Sequence, residues 1–157
     1  MTEDCVVIRE ARYDDVQSIA KFNMEMALET ENKKLEETIV DKGVRAVIED
    51  SQKGFYLVAE KRGDRPSIVG QLLVTYEWSD WRNQNIWWIQ SVYVQKNFRN
   101  QKIFSKLYNH VVDIARNEKN ICGIRLYVEE QNESAKQVYK TLGMKKTSYE
   151  IYEKELR

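Results

Sequence analysis

Three basic side chains, Lys96, Arg99 and Lys102, share one short polar stretch of this 157-residue chain. Before them, Trp87–Val94 is aromatic and β-branched, which suits a buried strand. After them, Ile103, Leu107, Val111 and Ile114 recur at helical spacing, with Phe104, Tyr108, Val112 and Ala115 beside them. A basic loop that ends at a helix N-terminus is a place to hold phosphate. The first-turn N–H groups have no intrahelical partner, and the dipole there favours an anion. Other chemistries find no set of residues. Cys5 and Cys122 are far apart and form no metal-ligand spacing, so no metal is expected. His110, the single histidine, lies mid-helix without a Cys, Asp or Glu at metal spacing and reads as structural. There is no Ser/His/Asp set and no Walker loop.

The elements that must position this loop follow from the periodicity. Cys5–Arg9 reads as a first strand. A helix follows from Asp14 or Asp15, either of which can cap it, with Val16, Ile19, Ala20, Phe22, Met26 and Ala27 inward. A second helix runs from about Leu35 to Ser51, weakened slightly by Gly43. Phe55–Glu60 and Ile68–Glu77 read as antiparallel strands around a turn holding the only proline, Pro66. Gly70 marks a bulge or bend, and Trp78–Asn85 reads as a polar loop. Trp87–Val94 and Gly123–Val128, joined by the long helix to Glu118, suit a parallel pair with a right-handed crossover. Asn132 caps a short helix through Leu142, Gly143 fits its C′ position, and Lys145–Glu153 reads as a last strand. The order β α α β β β α β α β is a mixed α/β layer fold in one domain, 1–157.

Composition bounds the partners. An apolar fraction of 42% supports a globular core, and 25 basic against 25 acidic residues give no net charge. That balance argues against a nucleic-acid or anionic-membrane binder. The acidic start Met1-Thr2-Glu3-Asp4 resembles no signal peptide, and no apolar run reaches membrane-span length. Together with unpaired thiols, this suggests a cytoplasmic protein.

The element order and three segments resemble the GNAT superfamily of acyl-CoA-dependent N-acetyltransferases across essentially the whole chain. Val92-Tyr93-Val94 and the turn Arg99-Asn100-Gln101-Lys102-Ile103-Phe104 fall where that family has its Arg/Gln-x-x-Gly-x-Gly/Ala pyrophosphate loop. Asn132, Ala135, Tyr139, Gly143 and Met144 match the family's Asn-x-x-Ala-x-x-x-Tyr-x-x-x-Gly-Phe/Met pattern at all five positions. Glu77-Trp78-Ser79-Asp80-Trp81-Arg82, with Trp87-Trp88-Ile89-Gln90-Ser91, looks like a bacterial subgroup. Both loop glycines are absent: Lys102 and Phe104 stand in their places. Lys102 then either reaches the phosphates or obstructs them, and Phe104 can turn into the core.

The resemblance implies a mostly antiparallel sheet splayed between two parallel strands, with helices on both faces and acetyl-CoA in the V-shaped opening. The pantetheine arm would add to Val92, Tyr93 and Val94. The pyrophosphate would sit on the Arg99–Phe104 backbone, with Arg99, Asn100, Lys102 and Ser105 around it and Gln101 and Ile103 in the same turn. Asn132 and Ala135 would border the pantetheine. A backbone N–H near Val92 would hold the thioester oxygen, and Tyr139 would protonate the departing thiolate. The base stays open between Glu77, a water held by Gln90, and no protein group. Glu25, Glu29 and Glu31, around the end of the first helix, suit a cationic amine or form a solvated face. Of Trp87 and Trp88, which alternate across the sheet, at least one is core. Trp78 and Trp81 suit a pocket wall or a dimer contact. The implied reaction is direct acetyl transfer from acetyl-CoA to a small primary amine in a ternary complex. The alternative is a non-catalytic CoA-sensing or protein-interaction module on the same fold. A homodimer is common in the fold class.

Overall fold

A computed structural model describes residues 5–157; the acidic start Met1–Asp4 lies outside them. The chain divides into two compact units, Met1–Tyr127 and Val128–Arg157.

The first unit carries β1 (Val6–Glu10), α1 (Val16–Glu31), α2 (Glu37–Glu49), β2 (Phe55–Lys61), β3 (Ser67–Ser79), β4 (Gln84–Val94), α3 (Ile103–Asn117) and β5 (Ile121–Leu126), with 3-10 turns at Tyr13–Asp15 and Lys96–Phe98. The five strands form one sheet in sequence order. Neighbours are antiparallel except β4 and β5, which are parallel. This is the expected mixed fold, and the α3 crossover accounts for the parallel pair.

Side chains alternate across the sheet. Tyr56, Val58 and Leu73 pack on one face with Val16, Ile19 and Ala20 of α1 and Val44 of α2. Gly70 shows how α3 meets the other face. A Cβ there would come within 2.9 Å of Ile103 Cγ2 and 3.5 Å of the Ala59 Cβ. The absent side chain lets the first residue of α3 seat against the sheet, and so sets where the basic loop ends. The bulge expected at Gly70 is its neighbour: Ala59 and Glu60 pair with Gly70 and Ile68, leaving Val69 as the extra residue. Gly70→Ala is expected to cost about 1–2 kcal/mol by overpacking, read as a fall of roughly 3–6 °C in Tm.

Two expectations in this unit need correcting. Trp78–Asn85 is not a loop, because β3 continues through Ser79 and β4 starts at Gln84. Asn83 turns the chain at φ 52°, so the polar residues read as a loop are the ends of a long hairpin. Asp15 occupies the N-cap position of α1, yet its carboxylate bonds no N–H of that helix. It accepts instead from the Arg12 N–H at 2.7 Å and from Arg9 Nη1 and Nη2 at 2.7 and 3.0 Å. Arg9 also reaches Glu60 Oε2 at 2.7 Å. This network pins the start of α1 to β1 and β2.

The second unit contains α4 (Glu133–Thr141). Asn132 is its N-cap, with Oδ1 accepting from the Ala135 N–H at 3.1 Å. Gly143 follows at φ 89°, the left-handed conformation that ends a helix without strain in glycine. Lys145–Glu153 does not form the expected strand. Its apolar residues Tyr149, Ile151 and Tyr152 are exposed, and among the described residues the unit contains no strand. An apolar period of two makes a strand only where a partner is present.

Candidate functional site

The parallel ladder between β4 and β5 covers only Asn85–Ile89 of β4. From Gln90 onward that edge of β4 pairs with no strand of the sheet. At the same point β4 breaks its ladder with β3. Leu73 pairs with Gln90 and Gln71 with Tyr93, so Ser91 and Val92 together face Leu72. Ser91 is left-handed, at φ 50°. This bulge interrupts the ladder with β3, which resumes at Tyr93 and Val94, just beyond the point where the ladder with β5 stops at Ile89.

Beyond the bulge, Tyr93 is buried against Phe22 of α1, ring centroids 5.0 Å apart. Its hydroxyl lies 3.0 Å from Glu25 Oε2 and 3.1 Å from Glu29 Oε1. Burial, then the two carboxylates, raise the phenol's pKa, so it stays protonated and donates. Arg99 Nη2 bonds Glu29 Oε2 at 2.8 Å, and its Nε bonds the Val94 carbonyl at 2.8 Å. Its guanidinium lies 5.4 Å from the Tyr93 ring centroid. Lys96 Nζ is 3.6 Å from Glu29. The Arg99 hydrogen bond is the main reason the Glu29 pKa is lowered. Arg99 and Glu29, assigned from sequence to phosphate and to amine, thus pair with each other.

The loop then turns through two left-handed residues, Asn100 at φ 63° and Lys102 at φ 60°. Lys102 adopts the backbone conformation a glycine would take freely, at a cost of about 1–2 kcal/mol. As N-cap of α3 it offers no side-chain acceptor. Its side chain therefore caps no N–H of the first turn, and the Lys106 N–H bonds Lys102 O at 3.0 Å. The left-handed turn that a glycine would take freely is thus formed without one. Phe104 takes a helical position in this first turn, 6.1 Å from the Tyr108 ring centroid.

On the α1 face of the sheet a cavity of about 440 Å³ reaches the bulge. It is lined by Asn23, Met26, Ala27, Thr30 and Glu31 of α1, Val40, Gly43, Val44 and Val47 of α2, and Tyr56, Leu73 and Ser91 of the strands. Each helix contributes one stripe at spacings of three and four, the mark of a single face. Buried Gln71 ties together two of the lining residues. Its Nε2 donates to Asn23 Oδ1 at 2.8 Å and to Ser91 O at 3.2 Å, and its Oε1 has no protein partner. Asn23 Nδ2 reaches Tyr56 OH at 3.4 Å. These amides fix the bulge carbonyl. Sequence reasoning passed over Asn23, Gln71 and the cavity role of Gly43. The available signal was an amide inside otherwise apolar stripes, Phe22-Asn23 and Gly70-Gln71-Leu72.

The remaining candidates separate. Gln90, beside the bulge, donates to Thr75 Oγ1. Glu77 lies four residues further along β3, about 13 Å at strand rise, and accepts from Arg125 Nη1 at 2.9 Å. Trp78 and Trp81 are 58% and 86% exposed at the hairpin end. Trp78 pairs with Asn85, about 20 Å of strand from Ser91, so neither tryptophan joins the cavity. Trp87 is the buried indole, in edge contact with Phe55, while Trp88 stacks 4.5 Å from Tyr127. In the second unit Tyr139 is half-buried, and burial raises its pKa. Asn132 and Ala135 are joined in the α4 cap. Among the described residues no group of three His, Cys, Asp or Glu side chains is placed to hold a metal ion, and no helix is long and apolar enough to cross a membrane.

Comparison with known proteins gives the same picture. Residues 16–144 match the acetyltransferase (GNAT) family. A thialysine N-epsilon-acetyltransferase from Bos taurus is 33% identical over 147 residues, 88% of this chain and 83% of that protein. Its namesake from Mus musculus is 31% identical over 142 residues, 87% and 82% of the two chains. The crystal structure of a possible acetyltransferase from Clostridium difficile 630 superposes with a TM-score of 0.88 at 47% identity, covering 97% of this chain and 98% of that one. A predicted acetyltransferase from Clostridium acetobutylicum, crystallised with acetyl-CoA, shares the fold, with a TM-score of 0.75 at 15% identity over 96% of each chain. The chain is an acetyltransferase and belongs to the GNAT family.

Proposed function

We propose that the protein transfers the acetyl group of acetyl-CoA to the primary amine of a small molecule, by direct attack in a ternary complex. The observation that carries this reading is the β4 bulge, which meets the free strand edge, the basic loop and the 440 Å³ cavity. Acetyl-CoA supplies the activated acetyl group. The basic loop and the N-terminus of α3 that follows it suit its pyrophosphate, and the edge of β4 at Val92–Val94 suits an amide-bearing arm. The amine enters the cavity from the α1–α2 side and meets the bulge. Apolar walls from Val44, Val47 and Leu73 penalise an ammonium and lower its pKa, so the neutral amine forms there without a dedicated base. Glu77, paired with Arg125, is then not required as one. Tyr139 is proposed as the proton donor to the thiolate, with Asn132 and Ala135 fixing the start of its helix. The names of the relatives support an acceptor of the thialysine kind, a terminal amine on a short chain.

Acetyl-CoA at a hundred times its Kd should stabilise the fold by about 2.7 kcal/mol, roughly 5–10 °C in a thermal shift. Release of thiol with an added amine then reports transfer. An absent shift at millimolar acetyl-CoA would sink this reading in favour of an interaction module.

Two variants separate the halves of the site. A Cβ at Gly43 meets nothing within 4 Å, so Gly43→Leu should fold and fill the cavity. It is expected to raise KM for the amine about tenfold, the cost of losing about 1.4 kcal/mol of binding, with the acetyl-CoA shift unchanged. Glu29→Gln removes the charge that holds Arg99. Its expected result is about threefold tighter acetyl-CoA binding by calorimetry, since an exposed ion pair is worth up to about 1 kcal/mol. Weaker binding would instead make Arg99 a strut between loop and helix.

A further inference from the structure

The acceptor cavity ends at α1 on two opposite charges. Glu31 and Lys33 both line it. Their placement has a cause in the backbone. Asn32 ends α1 in the left-handed conformation, at φ 50°. The Lys33 N–H then bonds back to Ala27 O at 3.1 Å, the reversal that closes a helix. That reversal brings Lys33 round to the cavity lined by Glu31. Neighbouring carboxylates are already engaged: Glu25 with Tyr93 and Lys21, Glu29 with Tyr93, Arg99 and Lys96. Glu31 and Lys33 have no ion-pair or hydrogen-bonded side-chain partner among the described residues.

The cavity is also short. Asn23, at the bulge end, and Glu31 stand on one helical stripe, eight residues or about 12 Å apart along the axis, a span that suits a chain of a few bonds. The walls between are apolar: Met26, Val40, Val44 and Val47.

We propose that Glu31 and Lys33 form a clamp for a zwitterionic head, so that the acceptor is the terminal amine of a short-chain α-amino acid. Glu31 takes the α-ammonium and Lys33 the α-carboxylate, while the far nitrogen reaches Ser91. The same pair disfavours a plain diamine, whose second ammonium would face Lys33, and a plain ω-amino acid, whose carboxylate would face Glu31. This deepens the acetyltransferase reading and rests on the α1–α2 cavity being the acceptor site.

The test compares three acceptors of equal chain length by thiol release from acetyl-CoA: the α,ω-diamino acid, the diamine without the carboxylate, and the ω-amino acid without the α-amino group. The expected kcat/KM is about tenfold higher for the diamino acid. Lys33→Glu is expected to shift preference about tenfold toward the diamine, and Glu31→Lys toward the ω-amino acid. Added salt should narrow all three differences. An unchanged order of acceptors in both variants would overturn the clamp. If all three react equally in the parent and Gly43→Leu suppresses all three, the cavity stands and the clamp falls. If acetyl-CoA stabilises the protein but none of the three reacts, the acceptor reading falls and takes the clamp with it.

Discussion

Tyr139→Phe is expected to lower kcat about a hundredfold and leave acetyl-CoA affinity within about twofold. The substitution removes one hydroxyl and keeps the aromatic ring on α4. Proton transfer by a placed acid is worth about a hundredfold or more, and a thiolate departing without a proton is a poor leaving group. Burial raises the Tyr139 pKa, so the phenol keeps its proton throughout the neutral range. Activity between about pH 6 and 9 should therefore show no basic limb from this residue, and the parent enzyme should lose it only above the ordinary phenol pKa of about 10. Thiol-release kinetics across pH check both points. An unchanged kcat in the phenylalanine variant would remove Tyr139 from the mechanism.

Asp15→Asn is expected to cost about 3 kcal/mol of stability at neutral pH, from chemical denaturation. Asp15 is 6% exposed and accepts two bonds from Arg9 and one from the Arg12 N–H. Removing one partner of a buried pair leaves the other charge without compensation. Asparagine retains the Arg12 bond but cannot hold the guanidinium on both oxygens. The pH dependence has a definite sign. Burial alone would raise the Asp15 pKa, but the bonds from Arg9 and Arg12 outweigh it and the net shift is downward. Glu60 is lowered too, mainly by its bond to Arg9. A carboxylate with a depressed folded pKa stabilises above its unfolded pKa, about 4, and loses that stability as pH falls through the folded value. The penalty of the Asp15→Asn substitution should therefore shrink as pH drops below about 4. A penalty that stayed constant down to roughly pH 2.5, well below the ordinary carboxylate range, would place the effect in packing. Since Asp15 fixes the start of α1, its loss should also loosen the α1–α2 cavity at the far end of that helix.

What could be read from the sequence was what repeats locally. Helical stripes and the strand–loop–helix at Trp87–Leu107 appear in the structure within a few residues of their expected ends. The Asn132–Met144 spacing matches the family pattern in the order of residues alone. Partnerships between distant residues could not be read. Nothing in that order says that Glu29 takes Arg99, seventy positions away, or that Arg125 takes Glu77. Trp78 and Trp81 suited a pocket wall or a dimer contact, and a long hairpin carries them away from the bulge. Lys102 could be read from sequence either as a phosphate contact or as an obstacle, because a missing glycine suggests a lost conformation. The backbone adopts that conformation anyway, and the next residue, Ile103, sits close against Gly70. The strand expected at Lys145–Glu153 failed for the same general reason: pairing is a property of two segments, and a pattern in one does not supply the other.

Gly43 has a meaning for how this chain can be improved. A glycine inside an exposed helix forgoes about 1 kcal/mol relative to alanine, and helix repair at such positions is among the commonest ways to raise a protein's melting temperature. Because Gly43 lines the cavity proposed for the acceptor, the choice of side chain there divides into two regimes. Alanine adds one methyl group to open space and should gain stability with little loss. Each larger residue keeps that gain in helix propensity while filling the volume reserved for the amine. A library selected at this position for heat resistance alone would thus drift toward well-folded, acetyl-CoA-binding proteins that no longer acetylate, and one selected for turnover would return to the smallest side chains.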